Sequence, residues 1–166
     1  MIAVSFDPGR TGPSEMAAVQ QQFRASVARG SEIFGGRVFG LGGVSGVPSK
    51  SGSCATCHNA GTTRWMDIGT TTAGAAGHLP LFKITCEATG KVTYSQDPGR
   101  GLISGKCEDV GAIVVQQFRG LAARAPYFAN GTAKNLDAVV EFYDKRFGIG
   151  YTDQQKRDLV NFLKVL

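Results

Sequence analysis

Apolar residues recur at helical spacing near both ends of the chain. After Ser14 they return every three or four residues, and this pattern predicts a helix that ends near Gly35 and Gly36. The residues on its apolar face are Phe23, Val27, Gly30, Ile33 and Phe34.

Two further helices are predicted in the last third of the chain. Asn135 is a typical N-cap residue, and Thr152 with Gln155 three positions later has the pattern of a capping box. The face of the first of these helices consists of Leu136, Val139, Val140 and Tyr143. The apolar residues of the last helix are Leu159, Val160, Phe162, Leu163 and Leu166.

The middle of the chain lacks this regularity. Residues 59–112 show no sustained period and hold many glycines and prolines in turn-like settings, so we expect irregular structure with one short helix or hairpin. Residues 113–123 fit a short helix or an extended stretch. Residues 1–13 are rich in proline and glycine and are expected to form a tail. The pattern predicts a mostly α single domain over residues 14–166, with long irregular loops.

The composition changes this picture in one respect. Glycine accounts for 23 of 166 residues and charged residues for only 19%, which favours loops that wrap around something over a bundle of long helices. With 42% apolar residues the chain is neither disordered nor fibrous. No apolar stretch reaches the roughly 18 residues of a membrane span. The net charge of +5 is mild and does not indicate nucleic-acid binding.

The motif that carries chemistry is Cys54-Ala55-Thr56-Cys57-His58. Cys-x-x-Cys followed by His is the attachment signature of a c-type haem, in which the two thiols bond to the porphyrin and the imidazole ligates iron. A zinc site would need a second close pair of ligands, and Cys86 and Cys107 are too far apart to supply one. A thioredoxin-like motif would need a βαβ pattern, whereas a Gly/Ser-rich loop precedes this motif. We therefore expect one covalently attached haem c.

The haem motif also predicts a compartment. Haem c attachment implies export to the periplasm or the cell exterior, where disulfides persist, so Cys86 and Cys107 are expected to form one. Closing a loop of about 20 residues would stabilise the fold by roughly 3 kcal/mol in the chain-entropy model.

Three segments resemble the cytochrome c fold: Arg29 to Phe34, the haem motif, and Leu159 to Leu163. In that fold the first and last helices cross where a small glycine meets an aromatic residue. The resemblance implies that Gly30 and Phe162 occupy these two positions, and that the chain is a cytochrome c-like domain with a single haem.

A longer block is more specific. Arg119 to Ala133 (RGLAARAPYFANGTA), followed by Leu136 to Tyr143 (LDAVVEFY), is similar to the second haem domain of bacterial di-haem cytochrome c peroxidases and MauG-type enzymes. The chain departs from these proteins in having a single Cys-x-x-Cys-His motif. It also has Ala129 where relatives often carry His after Pro-Tyr-Phe. Both departures speak against a self-contained two-haem peroxidase cycle.

The motif does not identify the second axial ligand of the iron. His58 is the proximal ligand by its place in the motif. In the resembled proteins the distal ligand lies sixteen residues after the tyrosine of Pro-Tyr-Phe, and counting from Tyr127 gives Tyr143. A tyrosine on an apolar helix face is also ordinary core. Met66 is the main rival, because Met/His ligation is common in electron carriers, and His78 is a third option.

Four other residues are candidates for contact with the haem. Trp65 fits packing on the haem edge, although one tryptophan near such a loop is also ordinary packing. The resemblance places Tyr127 among the cofactor-binding residues. Arg119 and Arg124 would suit the propionates, since guanidinium groups match carboxylates, or could be solvated surface residues.

These observations predict a mono-haem c-type cytochrome that transfers one electron with a redox partner protein, alone or as the haem domain of a larger redox enzyme. The alternative is a peroxidase or MauG-type enzyme that acts on peroxide at an open or Tyr143-guarded iron. A non-catalytic interaction module is a third class, without positive support in the sequence.

Overall fold

The computed structural model describes residues 15–44, 46–47, 49–58, 65–69 and 77–166. The tail expected over residues 1–13 lies outside the described residues, as does Ser14. Among the described residues, no helix has the length and apolar character needed to cross a membrane.

Helices near both ends of the described chain form its frame. Helix α1 spans Glu15–Gly36, as the sequence pattern predicts. Two four-residue helices follow, α2 over Cys54–Cys57 and α3 over Gly101–Ser104. Helix α4 spans Leu136–Phe147 and α5 spans Asp153–Leu163.

The predicted caps of the last two helices are present. The side chain of Asn135 accepts a hydrogen bond from the backbone N–H of Ala138, at 2.9 Å. Thr152 accepts one from the N–H of Gln155, whose side chain accepts one from the N–H of Thr152 in return. These bonds satisfy N–H groups that have no partner inside the helix, and so set where α4 and α5 begin.

The strands are short and pair antiparallel in twos. Strand β1 (Phe39–Gly40) pairs with β2 (Ser51–Gly52). Strand β3 (Trp65–Met66) pairs with β6 (Ile113–Val114), and so ties together distant parts of the chain.

Strands β4 (Phe82–Thr85) and β5 (Val92–Ser95) form the hairpin expected in the middle of the chain. The predicted disulfide joins Cys86, at the end of β4, to Cys107, in a 3₁₀ turn after α3, with 5.6 Å between the Cα atoms. This cross-link anchors the hairpin to the segment that leads into β6.

Helices α1 and α5 cross in close contact at Gly30. A Cβ atom on Gly30 would lie 2.0 Å from the carbonyl oxygen of Asp158 and 2.7 Å from the Cβ of Phe162. Only glycine fits, because any side chain would overlap the backbone of α5. The contact between Gly30 and Phe162 expected from the sequence is therefore present. The assignment to the cytochrome c fold itself stays a prediction.

A buried polar network adjoins this crossing. Asp158 is 2% exposed and accepts hydrogen bonds from Arg29 at 2.7 and 2.9 Å and from Ser26 at 2.5 Å. Gln154 adds a fourth, at 2.8 Å. Burial alone would raise the pKa of Asp158, but these hydrogen bonds outweigh it and hold the pKa below its usual range. Asp158 therefore stays ionised inside the frame.

The apolar core lies between α1, α4 and α5. Phe23, predicted to lie on the apolar face of α1, is 41% exposed and is not part of this core. Val27, four residues further along the helix, is 1% exposed. The first turns of α1 thus extend beyond the part that α5 covers. The buried apolar residues of the core are Val27, Leu136, Val140, Ile149, Tyr151, Leu159, Val160, Phe162 and Leu163.

Candidate functional site

A cavity of about 650 Å³ lies between the helical frame and the loops. Its wall is mostly apolar and draws on α1, α2, α4, α5, strands β3 and β6, and the loop before α4. The volume falls within the range of roughly 300–1,000 Å³ typical of cofactor sites. The residues predicted from the sequence that line it are Cys54, Cys57, His58, Trp65, Met66, Tyr127 and Tyr143.

The Cys-x-x-Cys-His segment forms one helical turn on the cavity wall. Cys54 and Cys57 are three residues apart on α2, so both sulfur atoms lie on one face of the turn. Thr56 stabilises the start of the turn by accepting a hydrogen bond from the backbone N–H of Ser53, at 2.9 Å. A Cβ on Gly52 would lie 2.6 Å from the Thr56 hydroxyl oxygen, so glycine is needed there for the turn to close.

His58 is held in an orientation suited to metal ligation. Its Nδ1 lies 3.2 Å from the carbonyl oxygen of Gln116, and its ring stacks on Phe118 with centroids 4.1 Å apart. In the tautomer that satisfies this contact, Nδ1–H donates to the carbonyl and the lone pair remains on Nε2. Metal-ligating histidines commonly make such a bond. Burial lowers the pKa of His58 to about 4, so the imidazole is neutral at pH 7.

Cys54 is a neutral thiol beside a buried tyrosine. Burial raises the pKa of Cys54 to about 11, and the nearby Tyr151 hydroxyl offsets part of the rise. Tyr151 is 7% exposed, and its hydroxyl has no hydrogen-bond partner among the residues that the structure describes. The Cys54 sulfur is thus held in an apolar environment, with one polar group nearby.

Tyr143 lies on another part of the wall, within a separate group of aromatic rings. Its ring lies 6.2 Å from Phe128, 5.4 Å from Phe142 and 6.0 Å from Phe147, centroid to centroid. Burial raises the pKa of the Tyr143 phenol above its usual range, and the nearby Cys54 and Cys57 add to the effect. The hydroxyl is therefore protonated at neutral pH in this arrangement.

Phe128 adopts a strained backbone conformation, with a φ of 68° that residues other than glycine rarely adopt. The strain is accompanied by ring contacts of Phe128 with Phe142, at 4.8 Å, and with Tyr143. Strained residues cluster at functional sites, where the surrounding structure holds them in place. Here the strained residue supports Tyr143 from the loop before α4.

Tyr127 braces this loop instead of presenting its hydroxyl to the cavity. Its hydroxyl donates to the carbonyl of Leu121 at 3.0 Å, and its backbone N–H donates to the carbonyl of Ala133 at 2.7 Å. The ring still lines the cavity. Arg124 also lines the cavity and donates to the carbonyls of Gln117 and Arg119.

Strand β3 brings Trp65 and Met66 to the cavity. Met66 is 4% exposed, and its partner in the ladder is Ile113. The guanidinium of Arg100 lies over the Trp65 ring, 5.9 Å from its centroid. Met66 therefore remains a sterically available rival to Tyr143.

Two predicted residues lie elsewhere. Arg119 is exposed and is not among the residues that line the cavity, so its contact with a propionate stays a prediction. His78 is exposed and also lies outside the lining.

Sequence reasoning missed the residues that orient the predicted ones. Gln116 contributes a backbone carbonyl, which carries no signal in the side-chain pattern. Phe118 and Phe128 are isolated aromatic residues in irregular segments, where periodicity cannot assign a face. Phe128 follows Tyr127 directly in the Pro-Tyr-Phe segment, and that neighbourhood was the one available signal.

The chain's own residues fit a haem in this cavity. Two sulfur atoms and a neutral imidazole with Nε2 available line a mostly apolar chamber. The described residues contain no cluster of three or more His, Cys, Asp or Glu side chains able to hold a metal ion directly, as the zinc alternative would require.

The fold and cavity thus define a small helical protein with a site suited to a planar cofactor. Two curated relatives are named cytochrome-c peroxidase IdrP1. The chain is 28% identical over 141 residues to the one from Denitromonas iodatirespirans, and 26% identical over 147 residues to the one from Pseudomonas sp. (strain SCT). The alignments cover 71% and 75% of this chain and 38% of each relative. No family model and no solved structure matches. The chain therefore has a distant, partial relationship to cytochrome-c peroxidases.

Proposed function

We propose that this chain is a haem c domain of peroxidase type. Cys54 and Cys57 hold one haem through thioether bonds, and His58 Nε2 ligates its iron. The observation that carries the proposal is the placement of all three groups on one apolar cavity of about 650 Å³, with His58 Nδ1 bonded to Gln116. The partial relationship to cytochrome-c peroxidases supports the same assignment.

Cys54 and Cys57 would hold the haem covalently. Each thiol would add across one vinyl group, with its sulfur bonding to one carbon and its hydrogen going to the other, so that no oxidant or reductant is consumed. The two thiols are three residues apart on α2, so both would be available to one porphyrin.

When bound, haem supplies the one-electron and peroxide chemistry. The chain's residues set access and polarity. Apolar side chains make up most of the cavity lining, and His58 is held in its neutral tautomer by the Gln116 carbonyl. Tyr143 presents a phenol from a different part of the wall, held by Phe128 and Phe147.

Tyr143 is the proposed residue on the second side of the haem. Three observations support it over a purely structural role: its register sixteen residues after Tyr127, its place on the cavity lining, and the strained Phe128 that buttresses it. A phenolate oxygen would favour the ferric state, because a hard anionic ligand stabilises the higher charge on iron.

One-electron transfer with a redox partner protein is the second candidate function, and Met66 favours it. Its buried thioether lines the same cavity, and a Met/His pair raises the reduction potential. Ile103 on α3 lines the cavity yet is 77% exposed, so one edge of the site reaches the surface, where a partner could dock. Export to the periplasm or the cell exterior belongs to both proposals and is supported by the Cys86–Cys107 disulfide.

Ferric spectra of matched variants test the assignment of the second ligand. Tyr143→Phe should change the ferric spectrum and the rate of peroxide turnover with an electron donor, while Met66→Leu should leave both close to wild type. A spectrum altered by Met66→Leu and not by Tyr143→Phe would replace the peroxidase proposal with the electron-carrier function.

A further inference from the structure

Arg146, on the last turn of α4, joins three parts of the cavity wall. Its Nε donates to the carbonyl of Ile68 at 3.2 Å, and its two terminal nitrogens donate to the carbonyls of Gly42 and Gly43, each at 3.2 Å. The guanidinium also lies over the ring of Phe147, 5.0 Å from its centroid. All five N–H donors of arginine are fixed in one plane, which suits it to bridge several acceptors at once.

Each segment that Arg146 reaches contributes side chains to the cavity. Leu41 and Val44 flank the two glycines, Met66 lies two residues before Ile68, and Phe147 follows Arg146 on α4. Helix α4 also carries Tyr143. One guanidinium therefore ties the two loops to the helix that supplies the proposed second-side residue.

The loop at Gly43 is shaped for this contact. Gly43 has a φ of +72°, and a Cβ atom there would lie 3.2 Å from the arginine's terminal nitrogen. A side chain at this position would be strained by the backbone and would crowd the guanidinium. The two loops also meet directly, since a Cβ on Gly46 would lie 2.3 Å from the carbonyl of Trp65.

Neighbouring basic residues are engaged differently. Lys145 has a side chain that is 76% exposed and pairs with Glu141 at 3.1 Å. Lys156 pairs with Glu141 and Asp144 at 2.6 and 2.8 Å. These carboxylates offset the positive charges of Lys145 and Lys156 on the α4–α5 surface. The guanidinium of Arg146 instead donates hydrogen bonds to backbone carbonyls at the cavity wall.

Resting on the proposed haem site, we propose that Arg146 is a positioning residue that keeps the Leu41–Val44 and Trp65–Ile68 segments closed over the cavity, and so limits the entry of small ligands to the iron. Removing the guanidinium frees three carbonyls and removes the hydrogen bonds that join the two loops to α4, so that the ring contact of Phe39 with Phe147 remains to hold the first loop. Loop segments of this kind gate access when their contacts to a rigid element are lost.

The test is the association rate of cyanide with the ferric holoprotein, compared across Arg146→Ala, Arg146→Lys and the neighbouring control Lys145→Ala. We expect a rise of about tenfold or more in Arg146→Ala. Arg146→Lys should give an intermediate rise, because an ammonium cannot span three carbonyls. Lys145→Ala should stay within about twofold of wild type. A folded Arg146→Ala variant with the wild-type rate would overturn the proposal, even if its melting temperature fell. Should Arg146→Ala not fold, Arg146→Lys decides by the same criterion.

Amide hydrogen exchange separates this proposal from that of the haem site. Residues 41–44 and 65–69 should exchange faster in Arg146→Ala than in Lys145→Ala, with or without haem. A wild-type protein without a haem spectrum would overturn the proposed function, and the positioning role of Arg146 would then be tested by hydrogen exchange alone. Unchanged exchange at both segments would overturn that role.

Discussion

The helical frame and the loop-built wall hold together in different ways. In the frame, α1 and α5 touch at Gly30, and buried side chains such as Val27 and Phe162 fill the space beside the crossing. The wall relies on backbone contacts, such as the approach of Gly46 to Trp65 and the carbonyls gathered by Arg146. Where a core would be expected behind the wall, there is a cavity of about 650 Å³.

This difference indicates which part of the molecule depends on the cofactor. Side chains at the α1–α5 crossing bury one another, although Leu136, Leu159 and Leu163 of the frame also line the cavity. The side chains of the wall face a chamber that the proposed haem would fill, and a bound haem would complete their burial. A ligand that binds only the folded state stabilises that state, and here the gain should concentrate in the wall.

The largest effect is expected from removing both attachment thiols. Cys54→Ala with Cys57→Ala should abolish covalent haem, accelerate hydrogen exchange in the loops of the wall by more than about tenfold, and leave exchange at the α1–α5 crossing around Gly30 nearly unchanged. The measurement is amide exchange resolved by mass spectrometry. Equal acceleration in frame and wall would break the distinction between the two regions.

Loss of the disulfide should act locally on the loop side. Cys86→Ser with Cys107→Ser removes the cross-link between residues 21 positions apart, with an expected loss of about 3 kcal/mol in the chain-entropy model. The loss should appear as a lower free energy of unfolding in urea, and as a larger acceleration of exchange over residues 82–95 than in α5. Glu108→Gln, an exposed residue next to Cys107 and just outside the closed loop, is the control and should match wild type.

A methyl group at the helix crossing should act on the frame. Gly30→Ala places a Cβ about 2.0 Å from the carbonyl oxygen of Asp158 and should cost about 2–3 kcal/mol in unfolding free energy. Gly35→Ala, on the same helix with nothing within 4 Å, should instead stabilise by about 0.5–1 kcal/mol. Urea unfolding measures both, and equal effects of the two changes would show that the crossing is not tightly packed.

A smaller and pH-dependent effect is expected at Asp158. Asp158→Asn should cost about 2 kcal/mol at pH 7, because the buried hydrogen bonds of Arg29 and Ser26 lose a charged acceptor. The folded-state pKa of Asp158 is lowered, so its contribution is present above about pH 4 and is lost as the pH falls through that lowered value. The gap between variant and wild type should therefore narrow in acid. Glu87→Gln, on an exposed hairpin turn, is the control, and a gap constant with pH would contradict the assignment.

The sequence predicts the frame better than the wall, for a physical reason. The helices that begin at the caps Asn135 and Thr152 are predicted by local residue patterns. The Gly30–Phe162 contact follows from the resemblance to cytochromes c. The Cys54–His58 motif indicates the cofactor chemistry because its spacing is local too. The roles of Gln116, Phe128 and Arg146 depend on backbone carbonyls and on contacts distant in sequence, which no local pattern encodes.

The measurement that bears most directly on the central claim is the intact mass of the protein, taken with its absorption spectrum, after production in cells that attach haem c. The account predicts a mass greater than that of the chain by one haem, with the ferric and ferrous spectra of a c-type haem, and loss of both in the Cys54→Ala, Cys57→Ala variant. A wild-type protein with the bare chain mass and no haem spectrum would contradict it.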